Sequence, residues 1–305
     1  MTQGAPSPVV ARNLTKRAGS RQGGVFMGGR EDKPLKRLVI HVTLAFVAVI
    51  AFFPILRVFS VALRPGNQLL STDLSLIPEG ATLDAFVAVL TDSDLPLWLF
   101  NSFMITIGTS LVGLIMAATS AYAFSRFKFP GRGIGLTTLL ATQLIPAAML
   151  LVPIYILAVN LKLTNSYVGM IIGLSVTSVP FSIWILKGYY DTVPIELEEA
   201  ARIDGCSQLS AFWRVLLPLS TPALAIVFLF NFLAAWNDYF LARILLTKSE
   251  MWTWPLGLSR FQAQFQTQWN ELAASSIIIA SPVVLLFLYS SKWLVSGVTA
   301  GGVKG

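Results

Sequence analysis

Six long apolar runs are the feature that most constrains the fold of this chain. Each is about 20 residues or longer, which is the length that a helix needs to cross a bilayer core of about 30 Å. The composition agrees, because only 12% of the residues are charged and mean hydropathy is +0.70. We therefore predict an all-α integral membrane protein with six transmembrane helices. The predicted spans are 38–56, 97–124, 134–159, 167–186, 222–246 and 272–295.

Basic residues set the expected orientation of these spans. Eight lysines and arginines precede the first span, whereas the loop at 64–96 carries Arg64 against five acidic residues. Because lysine and arginine are enriched in loops on the cytosolic side, we expect a cytosolic N-terminus and an external loop at 64–96. Six spans would return the C-terminus to the cytosol. Residues 1–37 are rich in glycine, serine and base, which favours a disordered tail.

The sequence lacks the patterns of an enzyme or a metalloprotein. His41 is the only histidine and Cys206 the only cysteine, and no GxxxxGK[ST] phosphate loop is present. We predict no catalytic residue, no cofactor site and no metal site in this chain. The basic residues flank apolar runs, so the partner that they indicate is membrane lipid, with no nucleic acid.

Charged residues are also scarce inside the predicted spans. An ion-coupled carrier normally has an acid within the membrane, since charges there are costly and usually functional. Arg57, Asp238 and Arg243 lie toward span ends instead. An ion-coupled secondary carrier stays open as an alternative of a different class, but this pattern weakens it.

One acidic segment, residues 194–218, interrupts the apolar pattern. It predicts a helix that starts at Pro194, a turn at Gly205 with positive φ, and a second helix that Ser207 caps and that stops before Pro218. We expect Glu198 and Arg202 to form an exposed i,i+4 pair.

Two interpretations of this segment remain open, a docking surface and a solvated connector. Its bulky apolar side chains need burial, which favours docking. These side chains are Leu209, Phe212, Trp213, Leu216 and Leu217.

The spacing within the segment resembles a known signature. EAA, three residues, Gly, nine residues and I-x-L-P mark permease subunits of ATP-binding-cassette (ABC) importers. The matching residues are Glu199, Ala200, Ala201, Gly205, Val215, Leu217 and Pro218, with valine in place of the usual isoleucine. AYAFSRFKFPGR, IWILKGYYDTVP and AAWNDYFLARILL are similar to the type-1 core of the carbohydrate group. The ending KWLVSGVTAGGVKG resembles the smaller permease subunit of maltose/maltodextrin importers, the MalG type.

The resemblance implies a chain organisation. It comprises a basic tail at 1–37, a first transmembrane helix at 38–63, the external loop at 64–96, and an ABC type-1 permease core at 97–292. Coupling helices lie within the core at 194–218, and a cytosolic tail follows at 293–305. The expected location is the bacterial cytoplasmic (inner) membrane, as a multi-pass protein.

The resemblance also implies partners. These are a second, larger permease subunit, a dimer of ABC ATPase subunits that bind ATP and Mg, and an extracytoplasmic sugar-binding protein. Hydrolysis would belong to the ATPases. The expected cargo is maltose or maltodextrin, and trehalose, another oligosaccharide and glycerol phosphate stay open. Sugar contacts come mainly from the larger subunit in the resembled system, so no substrate residue is predicted.

Three sets of contact residues follow from the resemblance. In the first set, Glu199 would pair with an ATPase arginine. The ATPase-coupling set is Glu198, Glu199, Ala200, Ala201, Asp204, Gly205, Leu217 and Pro218. The tail that reaches between the ATPases is Gly301, Gly302, Val303, Lys304 and Gly305. The expected contacts with the binding protein are Gln262, Gln264, Phe265, Gln266 and Gln268.

Overall fold

The computed structural model describes residues 34–66, 75–261 and 268–301, and within these ranges all regular structure is helical. This confirms the predicted all-α class. The first helices are α1 (Pro34–Ala62), α2 (Asp84–Thr91), α3 (Leu95–Arg126), α4 (Arg132–Thr142), α5 (Ala147–Asn160), α6 (Tyr167–Tyr190) and α7 (Glu196–Ile203). They are followed by α8 (Gln208–Ala211), α9 (Thr221–Trp236), α10 (Phe240–Leu245), α11 (Trp254–Phe261) and α12 (Trp269–Gly301).

The chain divides into two compact units, Met1–Pro54 and Ile55–Gly305. In the first unit the described part is helical, and its side chains from Leu35 to Pro54 are exposed throughout. A lone exposed apolar helix of this kind is typical of a membrane span, since lipid takes the place of a protein core.

Among the described residues, four helices are long and apolar enough to cross a membrane, and two bent pairs raise the number to six. The four are 35–62, α3, α6 and residues 269–292 of α12. The bent pairs are α4 with α5, at 102°, and the helical stretch 208–219 with α9, at 79°. The predicted number of spans is reached only if each bent pair counts as one span.

The two bends correct the predicted third and fifth spans. The predicted run 134–159 is broken at 143–146, where Pro146 has extended dihedral angles and precedes α5. The predicted run 222–246 does not form one helix, because α9 ends at Trp236 and α10 begins only at Phe240. The length of the fifth candidate span comes from residues before Pro222 instead. Proline removes a helix donor and restricts the residue before it, so the breaks at Pro146 and before Pro222 have a local cause.

Close packing of α3 against α6 and α9 forms the centre of the second unit. Gly113, Ala117 and Ala121 recur every four residues along α3 and are buried. A Cβ atom at Gly113 would lie 2.9 Å from the Asn231 side-chain nitrogen on α9, so a larger residue there would have to displace the Asn231 amide. Small residues at this spacing let helix backbones approach closely in a membrane.

Buried apolar side chains form two clusters along this core. The second cluster joins the C-terminal halves of α3 and α6 to the segment after α8, through Tyr122, Ile183, Leu186, Phe212 and Leu216. It holds the acidic segment in place and thereby positions the candidate site.

Candidate functional site

The acidic segment folds as the helix, glycine turn and helix that its sequence predicts. After α7, Gly205 adopts φ +91°. The Cys206 N–H donates to the Ala201 carbonyl at 3.0 Å and the Gly205 N–H to the Arg202 carbonyl at 3.1 Å, which is the Schellman pattern. The Ser207 hydroxyl then caps α8 by accepting from the Ser210 N–H at 3.2 Å.

The two ends of the segment differ from the prediction. At the start, Pro194 lies two residues before α7, and Ile195 is its N-cap. At the far end, the second helix does not stop before Pro218. It continues from α8 through a π-helical turn, Phe212–Leu216, and a last turn, Leu217–Leu219. Single π-helical turns are rare in proteins as a whole, but those that occur are often at functional sites.

The bulky apolar side chains of the segment fall into a buried group and an exposed group. Phe212 and Leu216 are buried, and the Phe212 ring centroid lies 4.6 Å from that of Tyr122 on α3. Leu217 is half-buried. Leu209 and Trp213 are 65% and 56% exposed, so contacts within this chain do not supply the burial that these two need.

Glu198 has a different partner from the one predicted. Its carboxylate is buried and accepts from the Arg126 Nε at 2.6 Å, an ion pair in which both side chains are under 10% exposed. Arg126 is the last residue of α3 and precedes Glu198 by 72 residues in the chain. Arg202 is exposed. The predicted exposed pair of Glu198 with Arg202 is therefore wrong.

Arg126 makes two hydrogen bonds in addition to its contact with the Glu198 carboxylate. Its Nη2 donates to the Val193 carbonyl at 3.0 Å, and its Nη1 donates to the Ser125 hydroxyl at 3.1 Å. The guanidinium thus binds α7 and also the connection that leads into it. The sequence offered one signal for this role, a basic residue at the very end of an apolar span, and that signal does not identify the acid that pairs with it.

A second polar link joins the ends of α3 and α6. The Ser125 hydroxyl donates to Asp191 at 2.7 Å, and the Lys187 ammonium also pairs with Asp191. Partial burial alone would raise the pKa of Asp191. Hydrogen bonds from Lys187 and Ser125, together with the positive charges of Lys187 and Arg132, outweigh burial and lower the pKa below its ordinary value. The carboxylate is therefore ionised at neutral pH.

The opposite face of α7 is open. A shallow groove of about 650 Å³ is lined by Glu199, Arg202, Ile203, Cys206, Ser207 and Gln208. Ile203 is 87% exposed, and Leu209 beside the groove is also exposed. Of the other predicted coupling residues, Ala200, Asp204, Gly205 and Pro218 are exposed, and Ala201 and Leu217 are half-buried.

The other predicted contact residues fall largely outside the described ranges. In the tail, Gly301 ends α12, and Gly302, Val303, Lys304 and Gly305 lie beyond it. Gln262, Gln264, Phe265 and Gln266 also lie outside the described residues, whereas Gln268 is exposed just before α12. Across residues 34–66, 75–261 and 268–301, no group of three or more His, Cys, Asp or Glu side chains is placed to hold a metal ion.

Comparison with known proteins identifies the family. Residues 109–299 match the model of the binding-protein-dependent transport system inner membrane component. The maltose/maltodextrin transport system permease protein MalG of Salmonella typhimurium is 34% identical, over 90% of this chain and 98% of that protein. The galactooligosaccharides permease protein GanQ of Bacillus subtilis is 34% identical, over 89% and 96%. The arabinooligosaccharides permease protein AraQ of Halalkalibacterium halodurans is 31% identical, over 90% and 99%.

A solved structure supports the same assignment. A chain of a bacterial ABC transporter involved in the import of the acidic polysaccharide alginate matches with a TM-score of 0.74 and 25% identity. The match covers 85% of this chain and 96% of that chain. The relatives are transport permeases rather than enzymes. This chain therefore belongs to the family of binding-protein-dependent transport system inner membrane components, as a multi-pass inner-membrane permease of the carbohydrate ABC importers.

Proposed function

We propose that this chain transmits the closure of partner ABC ATPases to its own spans during import of a maltodextrin. The observation that carries the proposal is the placement of Glu199, the acid of the EAA motif. It is exposed at an open groove beside the apolar side chain of Ile203. An acid next to an exposed apolar side chain is suited to a basic protein surface with an apolar recess.

The partners that we propose are those expected for a permease of this family. The groove would receive an ATPase subunit, with Glu199 against a basic side chain of that subunit. ATP and Mg would be held by the ATPase dimer. A second, larger permease subunit would complete the pathway, and an extracytoplasmic binding protein would deliver the sugar. The acidic segment and both termini would then lie on the cytosolic side.

Maltodextrin is the sugar that we propose, because MalG relatives from several bacteria match most of this chain at 34–35% identity. Other relatives are named for arabinooligosaccharides and galactooligosaccharides. The shared chemistry of these names is an oligosaccharide. Trehalose and glycerol phosphate are the remaining alternatives for the same architecture.

A sugar screen tests this proposal. The chain is co-expressed with its neighbouring subunits, purified as a complex and reconstituted in proteoliposomes with the binding protein. We expect maltodextrin to stimulate ATP hydrolysis and to be taken up. Stimulation by another sugar alone would reassign the cargo. Uptake that follows a proton or sodium gradient and needs no ATPase would overturn the proposal in favour of a secondary carrier.

A charge reversal tests the contact itself in the same assay. Glu199→Lys places a positive charge against the proposed basic surface, and like charges across an interface cost several kcal/mol. We expect sugar-stimulated hydrolysis to fall about tenfold or more, since about 1.4 kcal/mol is tenfold. Glu196→Lys is the matched control, because Glu196 is also exposed on α7 but does not line the groove. Equal activity of the two variants would contradict the role of Glu199.

A further inference from the structure

Two adjacent acids of the acidic segment have opposite surroundings. Glu198 is 5% exposed and paired with Arg126, whereas Glu199 is exposed and lines the groove. Consecutive residues of a helix point in different directions, so neighbouring acids need not share a partner. The outward acid belongs to the proposed contact, and the inward acid has no role there.

We infer that Glu198 is a positioning residue that locks α7 to the end of α3 through Arg126, so that a push on α7 moves the span. The inference rests on the proposed function, since it concerns how the contact at Glu199 reaches the spans. The ion pair supplies the link, because charge-assisted hydrogen bonds are about twice as strong as neutral ones.

Burial along α7 shows why the link depends on one side chain. Of the eight described residues of α7, only Glu198 is buried. Ala201 is half-buried, and the other six are exposed. A helix of this length is not stable in water by itself. α7 also contacts α8 and the π-helical turn, and the Arg126–Glu198 pair is the buried ion pair that attaches it to α3.

The guanidinium also holds the entry to α7. By donating to the Val193 carbonyl, Arg126 fixes the backbone immediately before Pro194. The two contacts of Arg126 lie on either side of the start of α7. A rotation of α7 about its own axis would break the carboxylate contact, and a translation away from α3 would break both contacts.

The other end of the acidic segment is attached differently. Phe212 and Leu216 bury apolar surface against Tyr122, Ile183 and Leu186. Apolar contacts are non-directional, although side chains packed this closely also hold their positions and transmit strain. An ion pair with a fixed hydrogen-bond geometry adds an orientation that apolar contacts alone do not specify. This difference assigns transmission of motion to the Arg126–Glu198 pair.

Transport per ATP is the measurement that separates positioning from structural support. In the reconstituted complex, Glu198→Gln keeps the shape of the side chain and removes its charge. We expect the complex to assemble and hydrolyse ATP, while sugar transported per ATP falls about tenfold, the fold-change of roughly one charge-assisted hydrogen bond. Glu196→Gln, exposed on the same helix, should keep the wild-type ratio. The swapped pair, Arg126→Glu with Glu198→Arg, should recover part of the sugar transported per ATP.

Each outcome decides the inference. A Glu198→Gln complex with the wild-type ratio overturns it. A proportionate loss of hydrolysis and transport also overturns it, since that result indicates structural support alone. If the Glu198→Gln complex does not assemble, Glu198→Asp keeps the charge and draws the carboxylate back from Arg126. A wild-type ratio in that variant overturns the inference, and a reduced ratio supports it. Failure of the proposed function is distinct, because the wild-type complex would then show no sugar-stimulated hydrolysis.

Discussion

The two faces of α7 place their charged side chains in different surroundings, one buried and one exposed to solvent. The inner face holds Glu198 against Arg126 with little solvent, and the outer face holds Glu199 and Arg202 in water beside a groove. A buried charge is costly unless it is paired, whereas an exposed charge contributes little by itself. One short motif therefore carries two tasks, attachment on one side and contact on the other.

Removing the cation of the inner face has the largest expected effect. Arg126→Met leaves Glu198 buried without its partner, and stripping one member of a buried pair costs about 3–5 kcal/mol. We expect a clear fall in the thermal unfolding midpoint of the purified protein in detergent. The matched control is Arg202→Met on the exposed face, where substitutions usually stay within about 0.5 kcal/mol.

A double substitution tests whether the cost of Arg126→Met comes from leaving Glu198 unpaired. Arg126→Met with Glu198→Leu removes both charges together, and replacing a whole buried pair by apolar side chains is often neutral or stabilising. The midpoint should return toward that of the unmodified chain. Similar midpoints for Arg126→Met and Arg202→Met would show that the two faces of α7 do not differ.

The sequence predicted the membrane class and most spans, because hydropathy is a local property. The glycine turn and the Ser207 cap were also predicted, since both depend on residues within a few positions of one another. The bends were predicted less well. A proline marks where a helix can break, but it does not give the 102° angle of the bend before α5, and no proline marks the end of α9 at Trp236.

The ion pair on the inner face of α7 could not be predicted from local sequence patterns. Glu198 has an acceptable partner four residues away in Arg202, and sequence spacing favours that pair. The real partner, Arg126, is 72 residues distant and is brought close by the packing of α3 against α6. The π-helical turn was missed for a related reason. It lies between Phe212 and Leu216, which are buried, while Trp213 within the same turn is exposed.

A second prediction concerns the turn that ends α7. Gly205 has φ +91°, and a Cβ there would meet no atom within 4 Å. Gly205→Ala therefore costs backbone strain without a clash, about 1–2 kcal/mol. We expect a moderate fall in the unfolding midpoint, smaller than that for Arg126→Met.

Gly133→Ala is the control for this substitution. Gly133 lies in α4 without positive φ, and its Cβ would also meet open space. Alanine is favoured over glycine in a helix, so this variant should be neutral or slightly stabilised. A loss for Gly205→Ala as large as that for Arg126→Met would mean that the turn, rather than the ion pair, holds α7 in place.

The smallest expected effect comes from Asp191, which accepts from Ser125 and pairs with Lys187 but is 38% exposed at its side chain. Exposed pairs contribute about 0–1 kcal/mol because water and salt screen them. Asp191→Asn should therefore lower the unfolding midpoint only slightly at pH 7, and less at high salt. The measurement is the midpoint of both proteins across pH and salt.

The pH dependence of this variant has a definite sign. Because the folded pKa of Asp191 is lowered, its contribution is present above the ordinary carboxyl pKa of about 3.9 and is lost as pH falls through the folded pKa. The variant and the unmodified chain should converge in that acidic range. A cost at pH 7 comparable to that of Arg126→Met would show that exposure does not separate the two acids. Attachment of the acidic segment would then depend on the α3–α6 link as much as on the inner face of α7.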